Sequence, residues 1–164
     1  MALVITELDP GTHERKGFDC GVEPLNRYLQ TLAIQHRRKG LSTTFVLVDD
    51  LAPDILGYYS LSAASLVLDE LDDADRRHLP TYPVPAARIG RLAVAKTGKG
   101  RGYGELLLQN AIKRILSVRQ ILGVYAIVVE AKTNDAVSFY KKYGFRLCNA
   151  ADRKLYLAIG AAGS

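Results

Sequence analysis

Two periods of apolar residues run along this chain. The stretch from Leu3 to Leu8 is predicted to be a first strand. After Gly21 the apolar side chains recur at helical spacing, which predicts a helix. Pro24 suits the first turn of that helix, and Gly40 after a run of cations suits its left-handed end. The apolar positions of this helix are Leu25, Tyr28, Leu29, Leu32 and Ala33.

The rest of the chain predicts a mixed α/β domain built on one β-sheet flanked by helices. An acidic segment after the third strand predicts a short helix, and Leu79 to Pro85 should lack regular structure because three prolines remove donors. The further strands are Thr43 to Val48, Ile55 to Leu68, Arg88 to Val94, Gly123 to Glu130, Phe145 to Asn149 and Lys154 to Ile159. The further helices are Gly104 to Val118, whose buried face is Leu106, Leu107, Ala111, Ile112, Ile115 and Leu116, and Asp135 to Tyr143.

The length and composition fit a single domain over residues 1–164, with 48% hydrophobic residues to form a core. No apolar run of 18 or more residues occurs, and the first residues lack the features of a signal peptide. We therefore expect a cytoplasmic protein. Two cysteines, Cys20 and Cys148, are too few and too far apart for a zinc site or a disulfide framework, so no metal is expected.

The net charge of +5 has two interpretations. It is typical of a soluble protein with a slight excess of cations, or it indicates a polyanionic partner such as a nucleotide cofactor or RNA. Between Lys96 and Arg119 there are six Lys or Arg residues and a single acid, Glu105. This local excess of cations favours an anionic ligand there.

The segment from Lys99 to Gly104, Lys-Gly-Arg-Gly-Tyr-Gly, carries the strongest chemical signal. Glycines let the backbone turn tightly and expose successive N–H groups, and the helix that follows adds unpaired donors and a positive dipole end. These features predict a pyrophosphate site. The spacing fits neither a Rossmann fingerprint nor a Walker loop. The alternative is a glycine-rich turn that only joins a strand to a helix.

A second motif follows downstream, at Ala136, Phe139, Tyr140, Gly144 and Phe145. With both motifs at this separation, the chain from about residue 43 to 159 resembles the GNAT acetyltransferase superfamily. Lys99 stands where the family has Gln or Arg, and Thr133 stands where many members carry Asn, with Asn134 one position later. The resemblance implies the GNAT fold and acetyl-CoA as cofactor. The residues it implies for cofactor binding are Leu92, Ala93, Val94, Lys99, Gly100, Arg101, Gly102, Tyr103, Gly104 and Glu105.

A narrower resemblance covers nearly the whole chain. The segments 18–29, 57–62, 83–85 and 91–94 are similar to those of the GNAT toxins of type II toxin–antitoxin modules. This implies an enzyme that acetylates the α-amine of aminoacyl-tRNA and blocks translation. It also implies a homodimer, a ribbon-helix-helix antitoxin, and DNA binding only through that antitoxin. The alternatives are acetylation of a small amine or a protein amine, and a purely binding subunit of an antitoxin complex.

The resemblance implies that Tyr140 is the acid that protonates the CoA thiolate. Its ordinary pKa of roughly 10, above the roughly 8.5 of a thiol, keeps it protonated near neutrality. The alternative is a core aromatic residue. No convincing general base occurs: Glu130 is expected to cap a strand edge, with contact to water near the amine as the alternative, and the three histidines, His13, His36 and His78, are expected at the surface. An aminoacyl ester lowers the pKa of its own amine, so water would suffice as base.

Several cations are candidates for contact with RNA. Arg91 is a candidate for orienting the acceptor or for pairing with an acid. For each of these cations the alternative is solvated charge at a helix end or a surface ion pair. The candidates are Arg37, Arg38, Lys39, Arg91, Lys141, Lys142 and Arg146.

Overall fold

The computed structural model describes residues 2–159. Seven strands form one sheet in the order β1-β2-β3-β4-β5-β7-β6. The β4–β5 pair is parallel, whereas β1–β2, β2–β3, β5–β7 and β6–β7 are antiparallel, so the sheet is mixed. The predicted fold class is confirmed. The strands are β1 Leu3–Glu7, β2 Thr43–Asp49, β3 Ile55–Leu66, β4 Val84–Val94, β5 Ala126–Glu130, β6 Arg146–Leu147 and β7 Lys154–Ala158.

Helices lie between these strands in the predicted order. Short 3₁₀ turns at Leu68–Glu70 and Lys96–Gly98 accompany them. The acidic segment forms one of these turns and a four-residue helix, as predicted. The α-helices are α1 Glu23–Arg27, α2 Ala33–Arg38, α3 Asp73–Arg76, α4 Tyr103–Val118 and α5 Asn134–Lys142.

The chain divides into two compact units, the first formed by Met1–Ser62 with Gly90–Ile112. Its core contains Leu29, Val46 and Tyr58, none of which is more than 1% exposed. These side chains come from the first helical segment, β2 and β3. The apolar face predicted for residues 25–33 therefore packs on the sheet within this unit.

The first helical segment has a feature that the sequence pattern does not predict. A π-helical turn, Tyr28–Leu32, separates α1 from α2. The predicted ends are confirmed: Pro24 lies in the first turn, and Gly40 has φ +74°. Leu41 donates its N–H to the His36 carbonyl at 2.8 Å, and this bond closes the helix after the left-handed glycine.

The second unit consists of Ala63–Ile89 with Lys113–Ser164. Ala126 to Val129 of β5 are fully buried between β4 and β7, which explains the unbroken apolar run in this strand. Both cysteines are free thiols and both are buried, Cys20 in the first unit and Cys148 in the second. Burial raises the pKa of both thiols, that of Cys148 to about 11.

Several boundaries and burial assignments differ from the prediction. β4 begins at Val84 and includes Pro85. Proline has no N–H to donate, but its carbonyl takes part in pairing by accepting the N–H of Tyr125 at 2.9 Å. Leu106 is 40% exposed, and Leu108 takes its place on the buried face of α4. α4 also begins one residue earlier than predicted, at Tyr103 and not at Gly104.

Candidate functional site

The glycine-rich loop lies between β4 and α4. Gly100 and Gly102 have φ of +80° and +78°, a conformation that residues with a side chain rarely adopt. A Cβ atom built on either glycine would have no neighbour within 4 Å. These two glycines are therefore required by backbone conformation, and the space beside them is open to a ligand.

The first turn of α4 supplies donors next to this loop. Leu106 makes the first bond of the helix, to the Gly102 carbonyl at 3.2 Å. The N–H groups of Tyr103, Gly104 and Glu105 precede that bond, so they have no helical acceptor. They lie at the positive end of the dipole of a 16-residue helix. This geometry can bind an anionic group such as a phosphate.

The cations around the loop have different roles. Lys96 forms a salt bridge to Asp19 at 3.3 Å, and its N–H donates to the Asp19 carbonyl at 2.9 Å. Lys99 and Arg101 are exposed and form no ion pair with any residue between 2 and 159. Lys96 therefore anchors the start of the loop, while Lys99 and Arg101 keep their charge available for a ligand.

The strand before the loop carries the other residues assigned to the cofactor. Ala93 is buried, whereas Leu92 and Val94 are half-buried. Ala95 donates its N–H to the Leu56 carbonyl at 2.9 Å. The backbone of Gly57 lies close to β4, and a Cβ atom added at this position would lie 2.9 Å from the Ala93 carbonyl oxygen. The missing side chain at position 57 thus allows close approach of the backbone to the end of β4.

Tyr140 lies on α5 in the second unit. The Thr133 hydroxyl caps this helix by accepting the Ala136 N–H at 3.1 Å. Asn134 is the first residue of the helix. The cap places Tyr140 on the inner face, where it is 5% exposed and packs edge-to-face on Phe145, with ring centroids 5.4 Å apart. The ring of Tyr143, which follows α5, packs edge-to-face on the ring of Phe139, with centroids 5.1 Å apart.

The Tyr140 hydroxyl has no hydrogen-bond partner within residues 2–159. Burial raises the pKa of Tyr140 above its ordinary value because the phenolate would lose hydration. The group is therefore a neutral proton donor at physiological pH, and its donor is available to a ligand.

The four residues considered as general bases differ in burial. Glu130 is exposed at the end of β5, and His78 is also exposed. The prediction that His13 lies at the surface is wrong: it is 9% exposed, and its Nδ1 accepts the Asp9 N–H at 2.9 Å. His36 is half-buried against Tyr28. The His13 ring stabilises a local turn, whereas the His36 ring packs on Tyr28.

The candidate RNA contacts fall into three groups. Arg37 binds Glu7 at 2.9 Å, and Arg146 binds Asp72 at 2.6 Å, so these two cations serve internal ion pairs. Arg91 is half-buried against an aromatic ring. The exposed cations without an ion pair in the described chain are Arg38, Lys39, Lys141 and Lys142.

Arg91 has a contact that the sequence does not predict. Its guanidinium carbon lies 3.6 Å from the centre of the Tyr28 ring. The Tyr28 hydroxyl lies 2.5 Å from Ser42 Oγ and 3.2 Å from His36 Nδ1. Of the two roles considered for Arg91, pairing with an acid does not occur within residues 2–159.

Neither a metal cluster nor a membrane-spanning helix occurs between residues 2 and 159. Between residues 2 and 159, no three His, Cys, Asp or Glu side chains cluster as a metal site would require. No helix in the same range is both long and apolar enough to cross a membrane.

Residues 40–147, more than half of the chain, match the family described as acetyltransferase (GNAT) domain. A tRNA-acetylating toxin of Mycobacterium tuberculosis is 33% identical over 79% of this chain and 76% of its own. The structure of AtaT complexed with acetyl-methionyl-tRNAfMet has a TM-score of 0.89 at 27% identity, covering 96% of this chain and 95% of that one.

A third comparison concerns a mutant AtaT toxin bound to the C-terminus of the antitoxin AtaR and acetyl-CoA. It has a TM-score of 0.80 at 26% identity, covering 95% of this chain and 92% of that one.

Proposed function

This chain belongs to the GNAT acetyltransferase family and is an acetyl-CoA-dependent N-acetyltransferase, and on that premise we propose that its acceptor is the α-amine of aminoacyl-tRNA. We further propose that it acts as the toxin of a toxin–antitoxin pair by blocking translation. The observation that carries this proposal is the match to AtaT with its acetylated tRNA over 96% of the chain. That match includes residues before position 40, where the family domain begins.

The cofactor is proposed to bind through the loop and the start of α4. The N–H groups of Arg101 to Gly104 would receive the pyrophosphate, with Lys99 and the Arg101 side chain adding charge. Open space at Gly100 and Gly102 supports this assignment. Leu92, Ala93 and Val94 would offer backbone groups to the acetyl carbonyl and pantetheine, and Glu105 would complete the first turn.

The chemistry is direct transfer. The neutral α-amine attacks the thioester carbonyl, the new C–N bond forms, and the C–S bond breaks. The thiolate of CoA takes the proton of the Tyr140 hydroxyl, and the proton lost by the amine passes to water, from which Tyr140 is protonated again. The support for this role is that the Tyr140 hydroxyl is neutral and unpaired within residues 2–159. No catalytic carboxylate is needed because an aminoacyl ester lowers the pKa of its own amine.

The partners are proposed by the same similarity. The mutant AtaT toxin bound to the C-terminus of AtaR supports an antitoxin partner for this chain. Its ribbon-helix-helix type, DNA binding through it, a homodimer and a cytoplasmic location are further parts of the proposal. A small ribbon-helix-helix protein encoded next to this chain would support it, and an isolated reading frame would contradict it.

The acceptor can be identified directly. Incubation of the protein with aminoacyl-tRNA and labelled acetyl-CoA, followed by hydrolysis of the ester bond, is expected to release labelled N-acetyl amino acid. Free amino acids and uncharged tRNA serve as controls and should stay unlabelled. Label found only on free polyamines or on protein would contradict the proposed acceptor and favour the small-amine or protein alternative.

The exposed cations at the end of α2 give a second test. Because Arg37 is already paired with Glu7, the informative change is the double substitution Arg38→Gln with Lys39→Gln. We expect tRNA binding to weaken about tenfold and its dependence on salt to become less steep, since fewer counterions are released. Affinity for acetyl-CoA should not change.

A matched control removes the same charge elsewhere in the first unit, by Arg15→Gln with Lys16→Gln. Fluorescence anisotropy over a series of salt concentrations measures both variants. Equal weakening in the two variants would mean that only net charge matters. Unchanged binding in the Arg38 and Lys39 variant would move the RNA surface elsewhere, and Lys141 and Lys142 on α5 would be tested next.

A further inference from the structure

Arg91 is held in place by an aromatic platform and has no anionic partner within residues 2–159. Its guanidinium lies over the face of Tyr28 at 3.6 Å, and the Tyr28 ring is itself 1% exposed. A second ring, that of Tyr58, lies nearly parallel to the Tyr28 ring, with centroids 6.4 Å apart and planes inclined by 15°. The stack fixes the orientation of the guanidinium, which is the property that distinguishes a binding residue from a solvated cation.

The platform is built from several parts of the first unit. Tyr28 is the first residue of the π-helical turn, an irregularity that is frequent at functional sites. Its hydroxyl is held by Ser42 and His36, and the Tyr58 hydroxyl donates to the Leu25 carbonyl at 2.6 Å. Three polar contacts thus hold the two rings against which the half-buried arginine lies.

The guanidinium itself has no hydrogen bond or ion pair with residues 2–159. Arg91 is only half-buried, and its side chain ends in a planar fork of N–H donors. An arginine that is stacked on one face and unsatisfied at its edge fits a phosphate, which accepts two parallel hydrogen bonds from the fork. A solvated lysine would not require such a platform.

The position of Arg91 on β4 indicates which phosphate of the acceptor would reach its guanidinium. Arg91 directly precedes Leu92, Ala93 and Val94, the residues assigned to the acetyl group and pantetheine. A group bound at Arg91 lies within the first unit, one residue along β4 from that segment. Near the acetyl group the acceptor RNA has only its 3′-terminal, single-stranded nucleotides, whose flexible backbone must be held for the amine to be aligned.

We propose that Arg91, stacked on Tyr28, binds a phosphodiester of the single-stranded 3′ end of the acceptor tRNA and so positions the aminoacyl group for transfer. This inference rests on the proposed acceptor. It assigns to Arg91 a substrate-binding role that is separate from the cations at the end of α2.

The test compares intact tRNA with tRNA from which the single-stranded 3′ end has been removed. Binding of each RNA to the wild type, Arg91→Gln and a matched charge control, Lys113→Gln, is measured by fluorescence anisotropy across salt concentrations. For Arg91→Gln we expect roughly 10- to 100-fold weaker binding of intact tRNA. Its salt slope should fall by about 0.7, the value for one phosphate of a single strand. The affinity of Arg91→Gln for the trimmed tRNA should equal the affinity of Lys113→Gln for the same RNA.

Arg91→Lys keeps the charge but loses the flat fork, so it is expected to recover only part of the affinity. Full recovery with lysine would contradict the stacked arrangement. Equal effects of Arg91→Gln on intact and trimmed tRNA would also overturn the inference, as would a match to Lys113→Gln on both RNAs. Release of N-acetyl amino acid by the wild type reports separately on the proposed function, so that its failure is distinguishable from failure at Arg91.

Discussion

Replacement of Tyr140 by phenylalanine should leave the fold and acetyl-CoA binding intact while reducing turnover by about 10²–10⁴-fold, the usual contribution of a general acid. The ring remains against Phe145, so packing is preserved. The hydroxyl that is removed has no hydrogen-bond partner within residues 2–159. The free energy of unfolding should therefore change by less than about 1 kcal/mol. Only the proton for the departing thiolate is lost.

Tyr143→Phe is the matched control for this substitution. It removes a phenol hydroxyl from the C-terminal end of the same helix, where the ring packs on Phe139. Turnover of this control should stay within a few fold of the wild type. Rates measured as release of CoA from saturating acetyl-CoA would distinguish the two variants. A Tyr140→Phe enzyme with wild-type turnover would show that the acid is another group or water.

Valine in place of Gly102 should abolish most affinity for acetyl-CoA. A β-branched residue at φ +78° is strained by about 1–3 kcal/mol. Its side chain would also occupy the open space beside the loop, where the pyrophosphate is proposed to approach the N–H groups. We expect an affinity at least tenfold lower, because a displaced phosphate loses more than one charge-assisted hydrogen bond.

Gly40→Val separates backbone strain from a blocked site. Gly40 has φ +74°, and an added Cβ would likewise meet no atom within 4 Å, but this glycine lies at the end of α2. Both variants should unfold at a lower temperature by similar amounts, and calorimetry should find weakened acetyl-CoA binding in Gly102→Val alone. Unchanged affinity in Gly102→Val would contradict the pyrophosphate assignment, and equal loss in both would indicate damage to the fold.

The order of the elements could be predicted from the sequence because local patterns determine it. The apolar run in β5 follows from burial on both sides, and the ends of the first helical segment follow from Pro24 and Gly40. The boundary of β4 could not be predicted in the same way. Pro85 argues against a strand on local grounds, but pairing with the segment before β5 needs only its carbonyl.

The site was predicted unevenly for the same reason. Motifs assigned Gly102 and Tyr140 to the proposed site, since the role proposed for each depends on residues close in sequence. The platform under Arg91 depends on Tyr28, which is distant along the chain, and no spacing rule connects these two residues. Likewise the ion pair of Arg37 with Glu7 is a tertiary contact. The sequence alone does not show whether a cation forms an ion pair, because its acidic partner can be distant along the chain.

The two buried cysteines determine how this enzyme can be assayed. With a pKa of about 11 for Cys148, on the order of one molecule in a thousand or fewer carries a thiolate there at neutral pH. Only the thiolate attacks the dyes used to titrate sulfhydryl groups. The thiols of the folded enzyme should therefore not react with the dye, so that the absorbance change measures only the CoA released. A sudden second burst of colour on heating would mark the unfolding of the chain.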